Sequence, residues 1–90
     1  MNPFLIQTKE EITLEDNEII ELYWQRSQRA ITETDGKYGG RLQTLSMNIL
    51  HDRQDAEECV NDTYHATWNT LPPQRPNYFF AYLAKLARNF

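Results

Sequence analysis

Residues 55–68, DAEECVNDTYHATW, decide how this chain is read. Placed on a helix at about 100° per residue, Ala56, Cys59, Val60, Thr63, Thr67 and Leu71 fall on one face, and Glu58, Asn61, Asp62, His65 and Asn69 on the opposite one. Asp52 is placed to cap this helix, with Asp55 three residues on. Glu57 and Glu58 sit in its first turn, where negative charge suits the helix dipole. Pro72 ends the helix, because proline disfavours helical backbone in the residue before it.

Working outward, glycine and proline divide the rest of the chain. Gly36, Gly39 and Gly40 fall in one short stretch, and Pro72, Pro73 and Pro76 in another. No alternating Val/Ile/Thr-rich run marks a strand. A first helix is expected from an N-cap at Asp16, carrying Ile19, Ile20 and Tyr23 at helical spacing. A second is expected to begin after Ser27 and end near Leu50, with Ile31, Tyr38, Leu42, Leu45 and Ile49 as its apolar stripe. That stripe keeps its phase across the glycines, so one long helix is favoured over two, although each interior glycine costs about 1 kcal/mol relative to alanine. A last helix is expected from near Asn77, burying Phe79, Leu83, Leu86 and Phe90 and turning Tyr78, Tyr82, Lys85 and Asn89 outward, with Arg88 at the edge. Residues 1–15 lack periodicity and read as a flexible arm. The expectation is an all-α chain, a compact three- to four-helix bundle over residues 16–90. An aromatic at the last buried position suggests that the bundle was cut from a longer chain.

Ninety residues make one small domain, and 40% hydrophobic content is enough for a core. No apolar run reaches the roughly 20 residues of a membrane span. The start, MNPFLIQTKEE, has neither the charge nor the apolar run of a signal peptide. A single cysteine, Cys59, excludes an internal disulfide and fits a reducing, cytoplasmic setting. The net charge of −4 argues against strong independent binding to nucleic acid, so any such role rests on a local basic patch or a partner.

Three constellations bear on function. Periodicity alone fits the acidic face of 55–68 to a solvated surface; the functional alternative is a docking face for a basic or helical partner. In the loop and last helix, Gln74, Arg75, Tyr78, Tyr82, Lys85 and Arg88 interleave rings with cations. That mixture suits single-stranded nucleic acid, where bases stack on rings and cations meet phosphates. It equally suits half-buried tyrosines flanked by cations whose stems lie along the core. Catalysis has the least support. Cys59 lies on the apolar face and His65 on the opposite one, and no CxxC, HExxH or glycine-rich phosphate loop is present. Asp55, Glu58 and Asp62 at helical spacing read far more readily as an exposed face than as a metal site. No cofactor, no metal and no enzymatic activity are expected.

The order of these elements resembles region two of bacterial sigma factors, most closely the small extracytoplasmic-function group. LSMNILHDRQDAEECVNDTYHATW is similar to that family's Ile-Leu helix end, polar turn and Asp-Ala-Glu helix ending in Ala-x-Trp. YFFAYLAKLARN is similar to its Phe-x-x-Trp-Leu-x-x-Ile-Ala-Arg-Asn ending, with Tyr82 where tryptophan is common. The resemblance covers residues 16–90. It implies an all-helical domain that binds the beta-prime coiled-coil of core RNA polymerase through Asp55, Glu58, Asn61, Asp62 and His65. It also implies recognition of the minus-ten promoter element as melted single-stranded DNA, a base being flipped into the loop from Thr70 to Asn77. Gln74, Arg75, Asn77, Tyr78, Tyr82, Lys85, Arg88 and Asn89 are then the candidate DNA contacts, and an anti-sigma protein is a candidate regulator. The family's second, helix-turn-helix DNA-binding domain is absent from this chain. The loop PPQRP departs from the family's usual aromatic-Arg-Gly character, which motivates the alternative expectation: a sigma-like protein-interaction adaptor that does not read DNA.

Overall fold

The computed structural model describes residues 13–90. They form four helices: α1 (Asp16–Trp24), α2 (Arg29–Leu50), α3 (Arg53–Thr70) and α4 (Phe79–Arg88). Among the described residues there is no strand, and the chain is an all-α bundle. Among the described residues no helix is long and apolar enough to cross a membrane.

α1 starts one residue earlier than its sequence suggests. Glu15, not Asp16, is the N-cap, and its backbone N–H donates to Glu18 Oε1 at 2.9 Å in a capping box. Asp16 is drawn away by α2: its Oδ1 accepts from Lys37 Nζ and from the Tyr38 hydroxyl, both at 2.8 Å. Lys37 Nζ also donates to the Leu14 carbonyl at 3.0 Å, and Leu14 packs against the core. Of the expected arm, residues 1–12 lie outside the described residues, whereas Leu14 and Glu15 belong to the fold.

α2 runs unbroken through all three glycines. Its buried row is Ala30, Thr34, Tyr38, Leu42 and Ser46, not the expected stripe. Tyr38 and Leu42 are buried as expected, but Ile31 and Leu45 are half-buried and Ile49 is 44% exposed. The contact line follows an i, i+4 ridge, which drifts round a long helix as it crosses its neighbours. Small residues on that ridge let the other helices approach. Thr34 fits because its hydroxyl bonds to the Ala30 carbonyl (2.8 Å) and to the Tyr23 hydroxyl (2.6 Å).

The glycines are not equivalent. A Cβ on Gly39 would run into the Asp35 carboxylate, which accepts from the Tyr64 hydroxyl at 2.7 Å and so ties α2 to α3. Gly36 is exposed, with nothing within 4 Å of such a Cβ. Gly36→Ala is therefore expected to stabilise the domain by about 0.5–1 kcal/mol, and Gly39→Ala to destabilise it. Urea denaturation of the two variants checks this; equal effects would mean that the Asp35–Tyr64 contact does not constrain position 39.

α3 follows its sequence pattern. Asp52 is the N-cap and accepts from the Asp55 N–H at 2.8 Å. Ala56, Cys59, Val60, Thr63, Thr67 and Leu71 are all buried, joined by Tyr64. The hydroxyls of Thr63 and Thr67 return to the carbonyls of Cys59 (2.8 Å) and Thr63 (2.7 Å).

α4 begins at Phe79, with Tyr78 as N-cap, rather than at Asn77. It buries Phe79, Leu83, Ala84 and Ala87; Leu86 is half-buried and Phe90, expected in the core, is 54% exposed. The two alanines allow close packing, which rotates the buried face toward them. The helix has ended at the Asn89 C-cap before Phe90 is reached. Phe79 stands at the centre, edge-on to Tyr23 of α1 (6.2 Å between centroids) and Tyr38 of α2 (6.1 Å).

Candidate functional site

Burial of the opposite face of α3 leaves Asp55, Glu58, Asn61, Asp62 and His65 exposed along one side. Among the described residues the four ion pairs are Arg29–Glu33, Lys37–Asp16, Arg53–Glu57 and Arg75–Glu21, so none involves Asp55, Glu58 or Asp62. Apolar groups flank the row on both sides. Asp55, Glu58 and Asp62 border a pit with Leu50, Cys59 and Phe90. His65 lines a groove with Gln28, Ile31, Thr32 and Trp68. The row thus offers uncompensated carboxylates beside apolar surface, a combination suited to a partner carrying both cations and apolar side chains.

The loop after α3 is pinned to α1. Arg75 pairs with Glu21 at 2.8 Å and lies flat over the Trp24 ring at 4.0 Å. Trp24 Nε1 donates to the Gln74 carbonyl at 3.0 Å. The Gln74 and Asn77 side chains are exposed, and Tyr78 is 80% exposed, a free ring at the head of α4. Tyr82 is half-buried, and its hydroxyl donates to Thr70 Oγ1 at 2.6 Å. Lys85, Arg88 and Asn89 are exposed; both cations occupy the last turn of α4, where they suit the negative end of the helix dipole. Of the sequence-predicted DNA contacts, then, Arg75 and Tyr82 hold the loop and α4 in place, and the others face outward.

Several residues at these surfaces were not singled out in the sequence. Arg26 stacks on Trp68 at 3.8 Å, and Arg41 lies over Phe80 at 3.9 Å and near Tyr38 at 5.6 Å. The i, i+3 spacing of Tyr38 and Arg41 was a usable signal for the second pair. Arg26 stands at the same spacing from Tyr23, but the ring it stacks on, Trp68, is 42 residues away.

Cys59 is buried, its Sγ donating to the Ala87 carbonyl at 3.3 Å. Among the described residues no three His, Cys, Asp or Glu side chains are grouped to hold a metal ion.

Three tyrosines titrate abnormally. Burial pushes Tyr23 up to about 12, against the opposing effect of its Thr34 bond. Tyr38 is also raised to about 12, by burial first and then by its bond to the Asp16 carboxylate and the charge of that group. Tyr64 is raised further, by burial first and then by Asp35. Each folded-state pKa lies above the unfolded value near 10, so the stability these phenols contribute is complete below pH ~10 and is lost as pH rises through the folded values. The urea midpoint should therefore begin to fall above pH ~10, with Tyr23, Tyr38 and Tyr64 giving phenolate absorbance at higher pH in the folded chain than in the unfolded one. These three ionising near pH 10 in the folded chain would contradict these environments.

Comparison of the chain with protein-family models, with curated proteins and with solved structures finds no match.

Proposed function

We propose that this domain is a sigma-like transcription initiation module: it docks on core RNA polymerase through α3 and receives the melted minus-ten strand on the loop and α4. One observation carries the reading. Asp55, Glu58, Asn61, Asp62 and His65 stand exposed in one row, and its three carboxylates have no ion-pair partner among the described residues. The sequence resemblance to sigma region two assigns these same residues to the polymerase's beta-prime coiled-coil. The exposed Tyr78 ring and the Lys85 and Arg88 cations supply stacking and charge for a single strand. With a net charge of −4, the polymerase supplies most of the nonspecific affinity, and DNA is bound after opening. On this reading the domain acts in the cytoplasm, performs no chemistry, and is open to control by an anti-sigma protein that covers either face.

The test is binding to the isolated beta-prime coiled-coil, wild type against Glu58→Arg plus Asp62→Arg. Losing two exposed attractions of about 1 kcal/mol each weakens binding about thirtyfold. Failure of the folded wild type to bind would sink the proposal.

A second reading, an adaptor that docks on a protein without reading DNA, is favoured by a specific observation. Arg75 and Tyr82 are already engaged with Glu21, Trp24 and Thr70, which closes the bundle rather than leaving them free for a base. Alanine at Tyr78, Tyr82 and Lys85 separates the two: an adaptor keeps its partner binding and loses nothing on single-stranded DNA, whereas a sigma-like module loses DNA affinity.

A further inference from the structure

The loop after α3 is firmly held at its ends and lightly held between them. At its root, Leu71 is 0% exposed and its N–H donates to the Thr67 carbonyl at 3.0 Å. Arg26 clamps the carbonyls of Trp68 and Leu71 at 2.9 and 2.8 Å. At the far end, Phe79 is 1% exposed. Residues 72–77, PPQRPN, lie between these anchors, and their three prolines have no N–H to donate. Among the described residues, the one backbone hydrogen bond that this tip donates runs from Gln74 N–H to the Thr70 carbonyl at 2.9 Å.

The tip's polar ties to the rest of the bundle come from two side chains of α1. Glu21 pairs with Arg75 at 2.8 Å. Trp24 lies under the Arg75 guanidinium at 4.0 Å, and its Nε1 donates to the Gln74 carbonyl at 3.0 Å. Both members of the ion pair are 51% exposed, so water and salt weaken it. Each of the three contacts favours the closed position by a factor of only about two to ten. A fixed root with a lightly held tip is a segment that opens locally while the bundle stays folded.

We infer that residues 72–77 form a releasable latch with Glu21 as its catch. Closed, the tip covers one side of the Trp24 ring and gives Arg75 an internal carboxylate. Open, it frees a ring and a guanidinium three residues before Tyr78, which is already 80% exposed. Rings beside a cation suit a single nucleic-acid strand, whose phosphate competes with the Glu21 carboxylate for Arg75. Arg75 thus closes the fold in one state and meets a strand in the other. The latch stands on the contacts of α1 with the loop; only the identity of the incoming strand rests on the sigma-like reading.

Hydrogen exchange in the whole chain reads the latch without any ligand. Glu21→Gln should speed exchange of the Trp24 indole N–H about fivefold, the weight of an exposed ion pair. The amides of Leu71 and Leu83, which mark the root and the core, should keep their rates. Glu57→Gln breaks the exposed Arg53–Glu57 pair with the same change of net charge, and should leave the Trp24 indole as it was. Binding of a single-stranded deoxythymidine oligonucleotide should tighten by the same factor in Glu21→Gln and not in Glu57→Gln. An indole rate that Glu21→Gln does not move, or that tracks the Leu83 amide in every variant, would overturn the latch. A strand bound equally by the wild-type and Glu21→Gln proteins would overturn its role as a cover. If neither protein binds a strand while the indole rate still responds, the sigma-like reading fails and the latch stands.

Discussion

Phe79→Ala is expected to remove about 3–5 kcal/mol of stability, the range for truncating a fully buried phenylalanine. The ring is 1% exposed and stands between Tyr23 and Tyr38, with centroids at 6.2 and 6.1 Å. One side chain therefore joins α1, α2 and α4. Alanine removes its transfer free energy, both edge-on aromatic contacts and the support of two tyrosines whose hydroxyls are fixed elsewhere, on Thr34 and Asp16. Those tethers restrict collapse of the cavity, which places the cost toward the upper end of the range. A domain of this size has about 5–15 kcal/mol in total, so the variant is partly or wholly unfolded at ambient temperature. Phe79→Leu provides a measurable intermediate, about 1–2 kcal/mol down. The adjacent Tyr78→Ala is the control: at 80% exposure the ring contributes within about 0.5 kcal/mol to folding. Urea denaturation followed by circular dichroism gives all three midpoints. A Phe79→Ala variant within 1 kcal/mol of wild type would mean that the Tyr23–Phe79–Tyr38 cluster is not where the helices are held. Loss of partner or DNA binding by Tyr78→Ala can accordingly be read as loss of contact, whereas the same loss by Phe79→Ala reads only as unfolding.

The contrast between α3 and its neighbours shows what the sequence carried. On α3 both faces were legible, because one cap, one phase and one proline stop agree and the threonines inside lie at core spacing. On α2 the apolar residues gave Tyr38 and Leu42 correctly but missed the rest of the buried line. Thr34 and Ser46 are fully buried while Ile49 is 44% exposed, because packing follows the row that permits close approach rather than the most hydrophobic one. The same substitution of small for large occurs on α4, where Ala84 and Ala87 face inward and Phe90 does not. For the candidate site, the acidic row of α3 is local in sequence and was visible. The state of the loop was not. Arg75 is 54 residues from Glu21, and no short-range pattern links them, so an arginine read as a free DNA contact is engaged in the fold.

Arg26 is the strongest case of such a long-range role, and Arg26→Ala is expected to destabilise the domain by about 3 kcal/mol. Its Nη1 donates to the carbonyls of Trp68 (2.9 Å) and Leu71 (2.8 Å), with a longer contact to Tyr23 O (3.5 Å), while the guanidinium lies 3.8 Å from the centre of the Trp68 ring. The Trp68 and Leu71 carbonyls lie at the C-terminal end of α3, where intrahelical donors run out and a cation also meets the negative end of the dipole. Two charge-assisted hydrogen bonds at about 1.5 kcal/mol each, toward the lower limit because the side chain is partly solvated, account for the figure. The stack on Trp68 adds up to about 1 kcal/mol, offset in part by water reaching the freed carbonyls. The backbone separates this role from a turn preference. Arg26 has φ 58°, a left-handed conformation that glycine adopts without cost. Arg26→Gly should therefore recover up to about 1 kcal/mol relative to Arg26→Ala and still lie well below wild type. Arg26→Lys keeps the charge but loses the planar fork and the flat stack, and should fall between alanine and wild type. If glycine at position 26 restored full stability, the residue would matter only for the turn, and its bonds to the end of α3 would contribute nothing measurable.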